Sequence, residues 1–236
     1  ATSGAIFQSA LHGGRAWRVN IEKVGEQRDY NVELRLRASP SAALLDVVSR
    51  IAPTEVWGIA PAAFARAGQV DVVRTWPDKG HGSFAVLAPP PGSMLVRFPL
   101  LQGRWLNDDD VDGVVLNHGA AAMLRRPVVL GERLSLALDG AVGSFVVVVV
   151  VEEVGASGIA YVPRAAFERL AGPGRLLRLR APDAAAAVAA LDRLLLDERV
   201  AVELLLPLSE LEAAVDGHIA LLIRALLAPD VAMGVV

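Results

Sequence analysis

The chain has no cysteine in its 236 residues, which excludes disulfides, thiol nucleophiles and cysteine-ligated metal sites together. Lysine is almost absent: Lys23 and Lys79 stand alone, and arginine supplies the remaining positive charge, a bias of genome composition rather than of chemistry. There is no excess of charge. A net charge of −3 gives no electrostatic footing for nucleic acid or for an anionic membrane surface. No window reaches the roughly 18 uninterrupted apolar residues that a membrane span needs. Ile219 to Ala228 is cut by Arg224, and Val146 to Val151 suits only a buried strand. Catalytic and phosphate-binding signatures are missing as well: there is no G-x-S-x-G, no Walker A and no G-x-G-x-x-G between strand and helix. His12, His81, His118 and His218 each lack a second ligand at metal-binding spacing.

What the chain does have is apolar surface. Hydrophobic residues make up 53% and mean hydropathy is +0.43, both high for an ordinary soluble domain. With neither a span nor an initiator methionine or signal peptide, the expectation is an excised soluble part of a membrane protein.

Val32 to Gly58 organises the rest. Val32, Leu34 and Leu36 alternate with Glu33, Arg35 and Arg37, the pattern of a half-buried strand. Ser39-Pro40 reads as an N-cap and first helical proline; Leu44, Leu45, Val47, Val48 and Ile51 form an apolar face, and Pro53 stops the helix. An extended run from Glu55 to Ile59 follows. Leu176 to Leu206 repeats the plan as LLRLRAP, DAAAAVAALDRLLLDE and RVAVELLL. The expected fold is therefore α+β: two β-α-β halves of a split core, with a smaller inserted α+β subdomain and flanking helices.

The expected boundaries are an N-terminal stalk helix over 1–30, the first half of the core over 31–98, the insert over 99–172, the second half over 173–207 and a membrane-directed helix over 208–236. The first helix has a candidate hinge at Gly13-Gly14. Val70 to Trp76 and Ser83 to Leu87 read as strands around a turn at Pro77–Gly82, and Ala88 to Gly92 as a stiff polyproline-like connector. Within the insert, Gly131–Leu138, Asp139-Gly140 and Val142–Val151 read as a hairpin, and Pro163 begins a helix ending near Ala171-Gly172. Ser209 and Glu212 form a capping box at the start of a helical stripe of Leu208, Leu211, Val215, Ile219, Leu222 and Leu226.

One acidic cluster stands out: Asp108, Asp109, Asp110 and Asp112. Clustered carboxylates suit Ca²⁺, but the glycine and distal glutamate of an EF-hand are missing, which favours a solvated loop. A hydrolase using these carboxylates needs them in a cleft beside another ionisable group. No pair is singled out, so the expectation is a non-enzyme with no catalytic residue, cofactor or metal.

Leu101-Gln-Gly-Arg-Trp-Leu106, Gly113-Val-Val-Leu-Asn117 and Ala120-Ala-Ala-Met-Leu124 resemble a run of MacB/FtsX-type ABC transporter permeases. Leu130-Gly-Glu-Arg-Leu134 with Phe145-Val-Val147 resembles that family's hairpin, and Tyr161-Val-Pro163 with Phe167 and Leu170 its closing element. The glycine of the family's "VvGv" is replaced by the valine run before Glu152. The resemblance implies an extracytoplasmic domain, periplasmic or extracellular, between the first two membrane helices of a permease. It further implies a cytoplasmic ABC ATPase, a second permease copy and an extracytoplasmic protein as partners, and transmission of ATP hydrolysis through stalks. The alternative is a stand-alone extracytoplasmic binding or adaptor domain for an apolar ligand, which requires an enclosed pocket in the core.

Overall fold

The computed structural model describes residues 25–66, 69–70, 84–124, 126–153, 158–210 and 213. Along the chain run β1 (Val32–Leu36), α1 (Ala42–Ile51), β2 (Thr54–Arg66), β3 (Gln69–Val70), β4 (Phe84–Ala88), β5 (Leu100–Gly103), β6 (Gly113–Asn117) and α2 (His118–Met123). Then come β7 (Arg133–Leu138), β8 (Ala141–Val151), β9 (Gly158–Tyr161), α3 (Arg164–Ala171), β10 (Leu176–Leu179), α4 (Ala184–Asp197) and β11 (Val202–Pro207).

The two β-α-β units share one antiparallel sheet, ordered β11-β1-β10-β2. Each unit's helix crosses over between strands that are not neighbours, which gives the interleaved order of a ferredoxin-like split β-α-β. Alternation decides which face is covered. Val32, Leu34 and Leu36 point with Leu177 and Leu179 at Leu44 and Val48 of α1 and Leu191 and Leu195 of α4, all buried. The helix caps follow the sequence with one shift. The α1 N-cap is Ser41, whose Oγ accepts from the Leu44 N–H at 3.1 Å, not Ser39. Ser39 instead donates its hydroxyl to the Pro173 carbonyl at 3.0 Å.

Strand β2 is long enough to serve two bodies. Thr54 to Trp57 pair with β10, whereas Gly58 to Pro61 pair with β4 and Ala62 to Ala65 with β7. From β4 the pairing runs through β9, β6, β8 and β7 back to β2, so these six strands close into a barrel. Inward residues alternate on every strand: Ala60, Ala62 and Phe64, then Phe84 and Val86, then Leu134, Leu136 and Leu138. Phe167 of α3 and Ala120 of α2 pack into the same core, and Phe64 stacks on Phe84 at 4.7 Å between centroids. The barrel interior is thus a filled core, as expected of a small barrel. It draws on β2 and β4, which the sequence reading places in the first half of the core, as well as on residues 99–172.

The valine run does more than the single buried strand foreseen for it. Between Val147 and Val149 it carries an extra residue opposite Val114-Val115. This bulge reverses the alternation. Phe145 and Val147 face into the barrel, while Val149 and Val151 face out into a third cluster with Trp57, Phe98, Val115 and Tyr161. Gly103, with φ +84, sits where a Cβ would run into the bulge carbonyl of Val148. That packing is a physical reason for glycine in the Gly103-Arg104-Trp105 motif. The Asp139-Gly140 turn has φ +48 and +90, the two-residue hairpin geometry expected of Asp-Gly.

Of the flanking helices, residues 25–30 and 208–210 with 213 are described; 25–27, 208–210 and 213 are helical, but Arg28 bridges Val96 and residues 29–30 lead into β1, so the first helix ends before residue 28 rather than at residue 30. The rest of both predicted stalk helices, Gly13-Gly14, His12, His81, His218, Glu212 and most of Val70–Trp76 lie outside the described residues. No described helix is long and apolar enough to cross a membrane.

Candidate functional site at the junction of sheet and barrel

The residues that join the two bodies are polar and buried. Arg178 on β10 lies opposite Glu33 of β1 and Glu55 of β2, a cross-strand arrangement of opposite charges. Its Nε is 3.5 Å from a Glu33 carboxylate oxygen. The guanidinium is held between two rings, 4.4 Å from the centroid of Tyr30 and 4.2 Å from that of Trp57. Arginine suits such a site because its planar cation stacks and its hydration is weak. Trp57 in turn donates its indole N–H to Glu55 at 2.9 Å, and Ser93 donates its hydroxyl to the same oxygen at 2.6 Å.

Beside it, Glu153 is the second residue past the end of β8 and is only 3% exposed. One carboxylate oxygen accepts from Arg28 Nη2 at 3.4 Å, the other from Asn117 Nδ2 at 3.1 Å. Asn117 is placed by its own Oδ1, which accepts the N–H groups of Ala120 at 2.8 Å and Ile159 at 3.0 Å, capping α2 and binding β9. Burial pushes the Glu153 carboxyl above its usual range, with Arg28 opposing the shift. Burial raises the Tyr161 phenol well above its ordinary value, and the charge of Glu153 adds to that. The Tyr161 hydroxyl lies against the Glu153 carboxylate, and Arg178 Nη1 is buried without a hydrogen-bond partner of its own.

Both ends of the described chain meet here. Gln27 donates its side-chain amide to the Glu152 carbonyl at 3.1 Å, the Asp29 N–H donates to Leu95 at 2.8 Å, and the Arg97 N–H donates to Gln27 at 2.9 Å. At the other end, Pro207 lies opposite Val32 and the Leu208 N–H donates to the Asn31 carbonyl at 2.8 Å.

The acidic cluster is arranged differently. Asp110 is clamped by Arg104 through two bonds of 2.7 Å, and this pairing holds its carboxyl below the usual range. Asp112 pairs with Arg133 at 2.9 Å, while Asp108 accepts the Gly92 N–H at 3.0 Å. Asp108 and Asp110 do line an open groove of about 280 Å³ with Arg164, but Arg164 is tied to Glu168 at 2.7 Å. Among the described residues no group of three or more metal-ligating side chains forms. His118 points to Glu153 rather than to this cluster, its Nδ1 accepting the Glu153 N–H at 3.4 Å. A second open groove, about 370 Å³, lies between the start of α1 and the end of α4. The apolar-ligand alternative needs an enclosed core pocket; the filled barrel and these two open grooves provide none among the described residues.

The family described as the MacB-like periplasmic core domain matches residues 2–194. The chain belongs to that family. It is thereby an extracytoplasmic domain of the kind carried by MacB-like ABC transporter permeases. The periplasmic region of MacB from Actinobacillus actinomycetemcomitans has the same fold, with a TM-score of 0.50 at 14% identity over 84% of this chain and 97% of that one. The extracellular domain of the noncanonic ABC-type transporter YknZ, from Gram-positive bacteria, gives a TM-score of 0.45 at 13% identity, covering 73% and 100%. Curated protein sequences give no match. The MacB-like match ends at Leu194, inside α4, so β11 and the C-terminal part of the junction lie beyond it.

Sequence reading missed Arg178, Glu153, Tyr30 and Tyr161 as a group. The available signal was charge out of place: the Glu152-Glu153 pair closes the seven-residue apolar run Phe145–Val151, and Arg178 sits between leucines in LLRLR.

Proposed function

We propose that this MacB-like domain couples cytoplasmic ATP hydrolysis to the handling of a substrate or partner outside the membrane, by mechanical transmission and without chemistry of its own. In this reading the two β-α-β units are a split core carrying an insert, and the flanking segments continue into stalk helices. A cytoplasmic ABC ATPase, a second permease copy and an extracytoplasmic protein are the partners. The observation that carries the proposal is the hydrogen bond from Leu208 to Asn31, together with the Val32–Pro207 pairing. These put the incoming and outgoing segments at one corner of the sheet, the geometry in which two stalks rising from one membrane reach one domain. Packed secondary structure carries such displacement because close-packed bodies move as units rather than deforming.

The test uses the full-length permease with its ATPase in proteoliposomes. The chain's lack of cysteine lets a pair be introduced to bridge barrel and sheet. Bridging is expected to block substrate or partner handling while ATP hydrolysis continues, with recovery on reduction. Undiminished handling with the bridge in place contradicts the proposal.

A further inference from the structure

The backbones of the two chain ends that meet at the junction are hydrogen-bonded to different bodies. The outgoing segment is bonded to the sheet: Pro207 closes the β1–β11 ladder and Leu208 binds Asn31, which itself binds the sheet through the Asn31 N–H to Leu179 at 3.0 Å. The Asn31 side chain adds two bonds, donating to the Ala181 carbonyl at 2.6 Å and accepting its N–H at 2.8 Å. The incoming segment, three residues earlier, makes its buried and main-chain bonds to the barrel side, and the solvent-exposed Asp29–Arg180 ion pair, 3.1 Å, ties its charge to the end of β10. Gln27, Arg28 and Asp29 reach Leu95 to Arg97 on the segment wrapping the barrel and Glu152-Glu153 at the end of β8.

Among these described contacts, that of Arg28 with Glu153 joins charged side chains. Arg28 and Glu153 are 9% and 4% exposed at their side chains, so little solvent screens the pair. Glu153 is also fixed from the barrel side by Asn117, which is anchored to both α2 and β9. A pull on residue 28 is therefore delivered to β6, β8 and β9 together. The groups facing Glu153 are Arg28 and, farther off, Tyr30 from the incoming segment, Asn117 and His118 at the β6–α2 corner, Tyr161 from β9 and, also farther off, Arg178 from β10.

We propose that Arg28 and Glu153 form a clasp that makes the incoming segment the driver of the barrel, while the outgoing segment drives the four-stranded sheet. The domain is then loaded at two points on two bodies, which share β2 and turn about the passage at Gly58. This inference rests on the transmission reading for its purpose, but the clasp is a property of the chain itself. They are tested separately.

The experiment is residue-resolved hydrogen exchange on the 236-residue chain, comparing wild type with Glu153→Gln and Arg28→Gln. The N–H groups of Asp29 and Arg97, which close the incoming segment onto the barrel, are expected to lose protection by about tenfold to a hundredfold, the equivalent of losing one charge-assisted bond. Those of Asn31 and Leu208, which close the chain ends onto the sheet, are expected to keep theirs. Arg28→Lys is expected to restore part of the lost protection. Unchanged protection at Asp29 and Arg97 overturns the proposal, and so does equal loss at all four sites, which makes Glu153 a general stabiliser. If Glu153→Gln does not fold, Arg28→Gln alone decides, since it leaves the buried Asn117–Glu153 bond in place. Failure of the bridged permease described above leaves this result standing, and the reverse also holds.

Discussion

The guanidinium of Arg178 lies 4.2 Å from the ring centroid of Trp57, and this contact sits where β2 leaves the sheet for the barrel. With Tyr30 on the other side it fixes the start of β1, the centre of β10 and the crossing point of β2 in one stack. Replacing Arg178 by Leu removes the buried cation from both rings and leaves Glu33 with the less buried Arg35, 3.1 Å away. The expected cost is about 3–5 kcal/mol, the range for breaking a buried pair. Arg178→Lys keeps the charge but loses the planar stack, for about 2 kcal/mol. Urea denaturation of both variants checks the order; equal costs contradict a stacking role.

Asn31 holds the corner where the chain ends meet. Asn31→Ala removes both side-chain bonds to Ala181 and strands a part-buried N–H and C=O. The expected loss is about 1–3 kcal/mol for each group left unsatisfied. Chemical denaturation measures it, and a shift within error of zero shows that the corner does not depend on these bonds.

Gly58 marks the passage between bodies. A Cβ there meets the Phe167 ring at 2.5 Å and the Ala88 Cβ at 2.9 Å. Gly58→Ala is expected to destabilise by about 1–3 kcal/mol through overpacking. Adding Phe167→Leu makes room and should recover part of the loss; additive costs in this double-mutant cycle contradict the contact.

The stability of the chain should carry two opposite pH signatures. Burial raises the Glu153 carboxyl in the folded state, so the folded chain holds the extra proton above the ordinary value of 4.5. Stability then falls as pH rises through that window. Glu153→Gln removes the slope, so its stability relative to wild type should improve as pH rises from 4.5. Asp110, lowered by Arg104, behaves in the opposite sense: its contribution is present above its ordinary value of 3.8 and is lost as pH falls. Arg104→Ala should flatten that acid limb. Denaturation midpoints across pH 3–8 measure both slopes, and parallel profiles for Glu153→Gln and wild type contradict the first.

Local patterns in the sequence carried the elements well. The alternation of Val32 to Leu36, the Asp139-Gly140 turn and Pro163 before α3 each act over a few residues, so their structural consequences are readable in place. The barrel was not readable. Its closure depends on β2 running on from Ile59 to Arg66 through an Ala-rich stretch with a proline, where strand propensity is weak and tertiary pairing decides. The bulge at Val148 was hidden too, because six identical valines show no alternation. The junction was least legible. Arg28, Glu153 and Arg178 are brought together from widely separated positions by tertiary packing, and a single charged residue within or beside a strand looks the same whether solvated or buried.

Transmission is tested most directly in the assembled permease with its ATPase, by pulsed dipolar spectroscopy between spin labels at residue 142. Val142 is 55% exposed on the barrel strand β8, and the domain offers no native cysteine to compete for the label. The account predicts that the distance between labels on the two permease copies shifts between the ATP-bound and ADP-bound states, and that the shift shrinks in Glu153→Gln while ATP hydrolysis continues. One unchanged distance through the hydrolysis cycle, or no dipolar signal between copies, contradicts it.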